Sequence, residues 1–185
     1  MGWSLAFNRL FPTRPANLSI RRTRPFATSG PSRRQPTRRF HGLEKPQAEI
    51  EIKHGDVIED RKSKFEAHLA AVNCEQDVRW VHSQLLQDKR IARASHNVVC
   101  FRYFDDRKQV FVHDNDDDGE TGAGNRLAEM MHLMQADNVF VMVTRWYGGV
   151  HLGPDRFRHF NNAAQLLLSA NGFQRSKSTS KGKRK

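Results

Sequence analysis

Hydrophobic and polar positions follow regular periods through the middle of the chain and predict its first elements. Residues 48–54, "AEIEIKH", alternate apolar and polar side chains as a half-buried strand does, and residues 63–72, "SKFEAHLAAV", read as a second strand. Residues 75–88 have the period of an amphipathic helix. The apolar stripe of that helix consists of Val78, Val81, Leu85 and Leu86.

The second half of the pattern alternates strands with helices. It predicts two strands joined by a turn (96–104 and 109–113), a helix (125–137), a strand (138–145) and a helix from Pro154 to Gly172. The run "NVFVMVTR" at 138–145 is almost continuously apolar, which is typical of a central strand buried on both faces. If a helix crosses between two parallel strands, the loops after both strands emerge at the same edge of the sheet.

An acidic, glycine-rich stretch, "HDNDDDGETGAG" at 113–124, precedes the third predicted helix. It is not a calcium-binding EF-hand loop, because a strand precedes it and position twelve is Asn125 rather than glutamate. Its glycine spacing matches neither the dinucleotide fingerprint nor the Walker loop. Its carboxylates would also repel a phosphate, at about 4 kcal/mol for each like-charge pair at ~4 Å.

One interpretation of this stretch is a magnesium-dependent hydrolase site, although the sequence contains no nucleophile or zinc signature. Two other interpretations are also open. In the first, Asp118 and Glu120 cap the helix and the glycines allow a tight turn. Arg145, at the end of the central strand, would pair with one of these two carboxylates. In the second, the same patch of opposite charges is a docking surface.

The charge of the chain is concentrated at its two ends. The net charge is +11, yet residues 1–43 hold nine arginines and no acid, and residues 175–185 hold six basic residues and no acid. Residues 44–174 hold 16 basic and 20 acidic residues. The basic pI therefore does not predict a nucleic-acid-binding face on the fold, although basic tails attract RNA weakly.

The composition divides the chain into three parts. Residues 1–43 have the composition of a disordered, arginine-rich leader, typical of a mitochondrial transit peptide. Residues 44–173 are predicted to form the folded domain, and residues 174–185 a disordered basic tail. No apolar run approaches the roughly 20 residues that a membrane span needs. The leader indicates a mitochondrial location.

Several stretches together resemble the IMPACT family, whose bacterial branch is the YigZ-type proteins. They are "DRKSKFEAHLAAV", "ASHNVVCFRY", "DDGETGAGNRL" and "VTRWYGGVHLGPDRFRHFNNAA", which cover about residues 58–172, and the last stretch is closer to the eukaryotic branch. The resemblance implies an α/β fold of the two-layer α+β type, a sandwich like domain 2 of ribosomal protein S5, with a mixed sheet and helices on one face.

The resemblance also implies a non-enzymatic regulator of translation in the cytoplasm. Such proteins contact a ribosome-associated scaffold and so restrain a starvation-responsive kinase of an initiation factor. In the family, an N-terminal RWD domain does much of the scaffold binding. Residues 1–43 of this chain are instead predicted to be a leader. The alternatives are an RNA- or ribosome-binding module, through the basic tails, and the magnesium-dependent phosphohydrolase.

The two glycine-rich loops and their neighbours are the predicted binding residues, and a protein is the predicted partner. No cofactor, metal ligand or catalytic residue is predicted. The binding residues are Lys64, His96, Asp118, Gly119, Glu120, Gly122, Gly124, Arg145, Trp146, Tyr147, Gly148 and Gly149.

Overall fold

Each strand that the hydrophobic pattern predicts is present in the computed structural model, which describes residues 49–173. The strands are β1 (Ile52–His54), β2 (Ile58–Asp60), β3 (Ser63–Ala71), β4 (His96–Asp105), β5 (Val110–Asp116) and β6 (Val139–Trp146). The helices are α1 (Glu75–Leu85), α2 (Lys89–Ala92), α3 (Ala123–Met134) and α4 (Asp155–Ala170). The predicted leader (1–43) and basic tail (174–185) lie outside the described residues.

The α/β fold class is confirmed, but the sheet is not mixed. Its strand order is β1-β3-β6-β4-β5, with β2 also paired to β3, and every pairing within residues 49–173 is antiparallel. β5 and β6 run in the same direction, as predicted, because each is antiparallel to β4, which lies between them. Both glycine-rich loops therefore begin at the same edge of the sheet.

The larger core lies between the sheet and the two long helices α3 and α4. On this α3–α4 face, Phe65, Val98 and Val141 are buried together with helix residues such as Leu127 and Phe160. The buried residues of both helices recur every three or four positions, as Leu127, Met131 and Met134 do in α3. Helical periodicity was therefore sufficient to predict which sides of α3 and α4 face inward.

The opposite face of the sheet is also covered, which corrects the prediction that all helices lie on one face. Arg90 of α2 lies 2.9 Å from Glu66 of β3, and Asn97 of β4 donates a hydrogen bond of 3.2 Å to the carbonyl of Ile91. We call this the α1–α2 face. It is covered because β6 is apolar on both sides, with Phe140 and Met142 pointing away from α3 and α4.

Smaller differences occur where elements are short. The pattern did not predict β2 and α2, which have three and four residues and are too short to show a period. β5 continues to Asp116, so part of the acidic stretch is strand rather than loop. Among residues 49–173, none of the helices combines the length and the apolar character needed to cross a bilayer.

Candidate functional site

The start of α3 is capped by Asp117 rather than by Asp118 or Glu120. The Asp117 carboxylate accepts hydrogen bonds from the backbone N–H groups of Gly122 (2.8 Å) and Gly124 (2.5 Å). The backbone turns at Asp118 and Gly119, whose φ angles are +41° and +86°. This left-handed turn directs the Asp117 side chain towards the helix and leaves the next two carboxylates for other partners.

Asp118 fixes the loop to the first residues of β4. Its carboxylate accepts a hydrogen bond of 2.8 Å from the backbone N–H of Asn97, and its carbonyl oxygen accepts one of 2.8 Å from His96 Nδ1. Nδ1 of His96 is therefore the donor of this bond, and Nε2 lies 3.5 Å from Glu120 Oε2. The acidic loop is held to the sheet by these bonds.

Glu120 forms a buried cluster with two arginines. Arg145, at the end of β6, pairs with its Oε2 atom, and Nε of Arg156, in α4, lies 2.5 Å from Oε1. Glu120 and Arg145 are each only 5% exposed. The predicted ion pair across 25 residues of sequence is therefore present, and it brings the two loops together at one edge of the sheet.

A cavity of about 420 Å³ opens beside this cluster. We call it the Arg145 cavity, and it is lined by His96, Glu120, Arg145, Tyr147, His151, Leu152, Gly153 and Arg156. The guanidinium carbon of Arg145 lies 5.6 Å from the centre of the Tyr147 ring, within range of a cation–π contact. Tyr147 is 42% exposed and forms the aromatic rim of the cavity.

Lys64 and Trp146 do not belong to this cavity. They are paired across β3 and β6 and point to the α1–α2 face, whereas Arg145 points to the α3–α4 face. The Trp146 indole donates a hydrogen bond of 3.1 Å to the carbonyl of Arg90 and also stacks on the Arg90 guanidinium. The hypothesis that the indole and the acidic loop share one patch is therefore wrong, because consecutive residues of a strand point to opposite faces.

The remaining predicted glycines shape the backbone. Gly122 and Gly124 lie at the start of α3, and Gly149 is exposed with φ +86°. Gly148 lies against the β2–β3 turn, where a Cβ atom would be 2.1 Å from the carbonyl carbon of Lys62 and 2.2 Å from its oxygen. Its role is therefore close approach between two backbones.

We expect Gly148→Ala to lower the free energy of unfolding by about 1–3 kcal/mol, because the backbone of Lys62 has to move away from the new methyl group. Urea denaturation measures the change. Gly55→Ala is the matched control, since its Cβ would meet no atom closer than 3.5 Å. Equal denaturation midpoints for Gly148→Ala and the unsubstituted protein would contradict the prediction.

Two residues that matter here were not among the predicted binding residues. The sequence does not distinguish Asp117 from its acidic neighbours, because which carboxylate caps α3 depends on the positive φ angle of Asp118. Arg156 is the second residue of α4 and reaches Glu120 only because α4 packs on the same face. Arg156 belongs to the "LGPDRF" motif, but the motif alone predicts only the start of a helix.

The chain matches the family model described as "Impact N-terminal domain" over residues 61–168, more than half of its length. It is 48% identical over 132 residues to "Protein IMPACT homolog" of Caenorhabditis elegans, which covers 70% of this chain and 51% of that protein. It is 50% identical over 117 residues to human "Protein IMPACT", which covers 63% of this chain and 37% of that protein. The chain thus spans about half or less of these relatives.

Two solved structures have the same fold. The two-domain translational regulator Yih1 is 34% identical, with a TM-score of 0.50, over 80% of this chain and 55% of the Yih1 chain. A crystal structure of a hypothetical protein is 21% identical, with a TM-score of 0.53, over 66% of this chain and 61% of that one. The second match concerns the fold alone. The chain belongs to the family of proteins that carry the Impact N-terminal domain.

Proposed function

We propose that this protein regulates translation through protein–protein contacts and that the Arg145 cavity is where its partner docks. Its similarity to Yih1, described as a translational regulator, supports the first part. The Arg145 cavity supports the second, because an exposed aromatic ring beside arginine is the residue combination that contributes most to protein interfaces. The observation that carries the proposal is the buried cluster of Glu120 with Arg145 and Arg156.

The charges of this cluster favour an acidic group of the partner. Two guanidinium groups face one carboxylate, which leaves one positive charge in excess. A carboxylate of the partner that enters the Arg145 cavity beside Tyr147 would balance this excess charge.

The charge of the folded part favours a protein partner over RNA. Residues 49–173 contain 15 basic and 19 acidic residues, so their net charge is negative. A surface of this sign repels phosphate except at local clusters. RNA or ribosome binding would therefore depend on the basic tails, and it would weaken steeply as salt is raised.

A non-enzymatic role is supported by what the loop carboxylates do. Asp117 accepts from two backbone N–H groups, Asp118 from a third, and Glu120 is paired with arginines. These oxygens are occupied by partners within the protein. A magnesium-dependent hydrolase would need the same oxygens for its metal ion or for proton transfer.

We expect Tyr147→Ala to weaken partner binding at least about tenfold, which corresponds to about 1.4 kcal/mol, while the melting temperature changes little. The matched control is Phe111→Ala, which removes another aromatic ring of nearly equal exposure (43% against 42%) from a different part of the sheet. The full chain is used to capture partners from cytosolic and mitochondrial extracts separately. Captured proteins are identified by mass spectrometry.

The proposal predicts that translation-regulatory or ribosome-associated proteins are recovered by the unsubstituted protein and by Phe111→Ala, but not by Tyr147→Ala. Equal recovery by all three proteins would show that the Arg145 cavity is not the docking site. If only RNA is recovered, and salt releases it, the RNA-binding alternative is favoured. Mitochondrial recovery without translation proteins would contradict the translational role.

A further inference from the structure

A second cluster of chemically active side chains lies on the α1–α2 face, away from the Arg145 cavity. It consists of His54 in β1 and of Glu66 and His68 in β3. One ring nitrogen of each histidine and one carboxylate oxygen lie within 4.8 Å of one another. Glu66 and His68 are buried, whereas His54 is exposed at the edge of the sheet. From this geometry we propose that the three side chains bind a divalent transition-metal ion of the zinc class.

The backbone places the three side chains together. His54 and His68 are paired across β1 and β3, and paired residues of antiparallel strands point to the same face. Glu66 is two residues before His68 in the same strand and so shares that face. Sequence reasoning missed the cluster because its members come from two strands and follow no metal-binding spacing.

A chain of hydrogen bonds fixes the proton positions of His68. Thr144 donates its hydroxyl proton to Asn97 Oδ1 at 2.9 Å, so its oxygen accepts from His68 Nε2 at 3.2 Å. His68 therefore carries its proton on Nε2, and the lone pair on Nδ1 is directed at His54. A hydrogen bond from the second ring nitrogen is what orients most metal-binding histidines.

His68 is also in the protonation state that a metal ion requires. The ring is fully buried, and burial lowers the pKa of His68 to about 3, with the nearby His54 and Arg90 lowering it further. The ring is thus neutral near neutral pH. Metal ligation by imidazole needs this neutral form, so no proton has to be removed from His68.

The distances fit a tetrahedral ion after a small movement. The two Nδ1 atoms are 2.8 Å apart and share one proton, which His54 supplies. Zn²⁺ with Zn–N bonds of about 2.0–2.1 Å would hold them about 3.3 Å apart. The needed widening is small for His54, which is exposed on a strand of three residues. Its Nδ1 proton is transferred to Nε2 through solvent, so the ring stays neutral.

Glu66 supplies the negative charge and the third ligand. Its Oε2 atom is buried and lacks a hydrogen bond, because the approach of Arg90 Nη2 at 2.9 Å has poor hydrogen-bond geometry. The Arg90 side chain is 57% exposed and can turn towards solvent when an ion binds. Two imidazoles and one carboxylate with an open fourth position form a recognised zinc-binding set.

The test is a titration of the full chain, prepared without an affinity tag and freed of metal with a chelator, with Zn²⁺ by calorimetry and with Co²⁺ by visible absorption. We expect one equivalent to bind, a tetrahedral Co²⁺ spectrum, and a melting temperature that rises with zinc concentration. Thr144→Val should weaken binding about 10–100-fold by releasing His68, and His54→Ala should weaken it more.

The matched control is His132→Ala, which removes an exposed histidine on the α3–α4 face and should leave the affinity unchanged. Failure to bind one equivalent overturns the proposal. Binding that survives both His54→Ala and Glu66→Gln also overturns it, because the ion would then be held elsewhere. Unfolding experiments without metal establish that each variant folds before its affinity is compared.

Discussion

Replacing Glu120 with alanine is expected to lower the free energy of unfolding by about 3–5 kcal/mol. The carboxylate is buried between Arg145 and Arg156, and Arg145 has no other acidic partner within residues 49–173. Its removal leaves a guanidinium group buried without a counter-charge. Arg156 contributes less to the loss, because its side chain is 27% exposed and can reach water. Urea denaturation at neutral pH measures the change.

A double variant separates the ion pair from the packing around it. In Glu120→Ala/Arg145→Met the unpaired charge is gone, so a part of the lost stability should return. The matched control is Glu129→Ala, which removes an exposed glutamate from α3 and should change stability by no more than about 0.5 kcal/mol. Equal stability of Glu120→Ala and Glu129→Ala would contradict the structural role of the cluster.

Acid is expected to destabilise the protein well above the pH at which its carboxylates titrate. Burial lowers the pKa of His68 to about 3 and that of His82 to about 4, whereas both are near 6.5 in an unfolded chain. Between these values the unfolded state binds protons that the folded state does not. The stabilising contribution is therefore complete above pH 6.5 and is lost as the pH falls towards 3–4.

The expected loss is about 2–4 kcal/mol at pH 5, since each group contributes about 1.4 kcal/mol per pH unit below 6.5. His82 contributes less than His68 because its surface is only half-buried. Burial raises the pKa of Asp114 and Asp116, which acts in the opposite direction at lower pH. Urea denaturation at several pH values from 7.5 to 5, with chelator present, gives the slope of the free energy of unfolding against pH.

The decrease in slope in His82→Gln reports the contribution of His82, and we expect a positive slope to remain from His68. A stability that does not change between pH 7.5 and 5 would mean that His68 is protonated in the folded protein. In that case Nδ1 of His68 would carry a proton and donate to His54, while the hydrogen bond from Nε2 to Thr144 would remain. The chelator removes any metal ion from His54 and His68, so metal binding does not contribute to the measured stability.

Most of the fold could be predicted from the sequence, because long elements repeat their period several times. The run at 138–145 predicted the central strand, and β6 lies at the centre of the sheet order. The pairing of Glu120 with Arg145 was also within reach, since parallel directions for β5 and β6 bring their loops to one edge. β2 and α2 lacked the length for any period to appear.

The candidate site was only partly predictable, for two different reasons. The separation of Arg145 from Trp146 follows from the two-residue period of a strand and was available from the sequence. The choice of Asp117 as the cap depends on backbone angles at Asp118 and Gly119, which no pattern of residue types specifies. The arginine that completes the cluster, Arg156, required knowledge of which face α4 covers.

The contacts of Arg90 have a practical consequence for solution studies. This one side chain lies against Glu66 and also over the Trp146 ring, with its guanidinium carbon 5.2 Å from the ring centre. Any event that moves Arg90 alters the surroundings of a fluorescent indole, whereas the Arg145 cavity lies on the other side of the sheet. The protein thus contains an intrinsic optical reporter for one of its two surfaces.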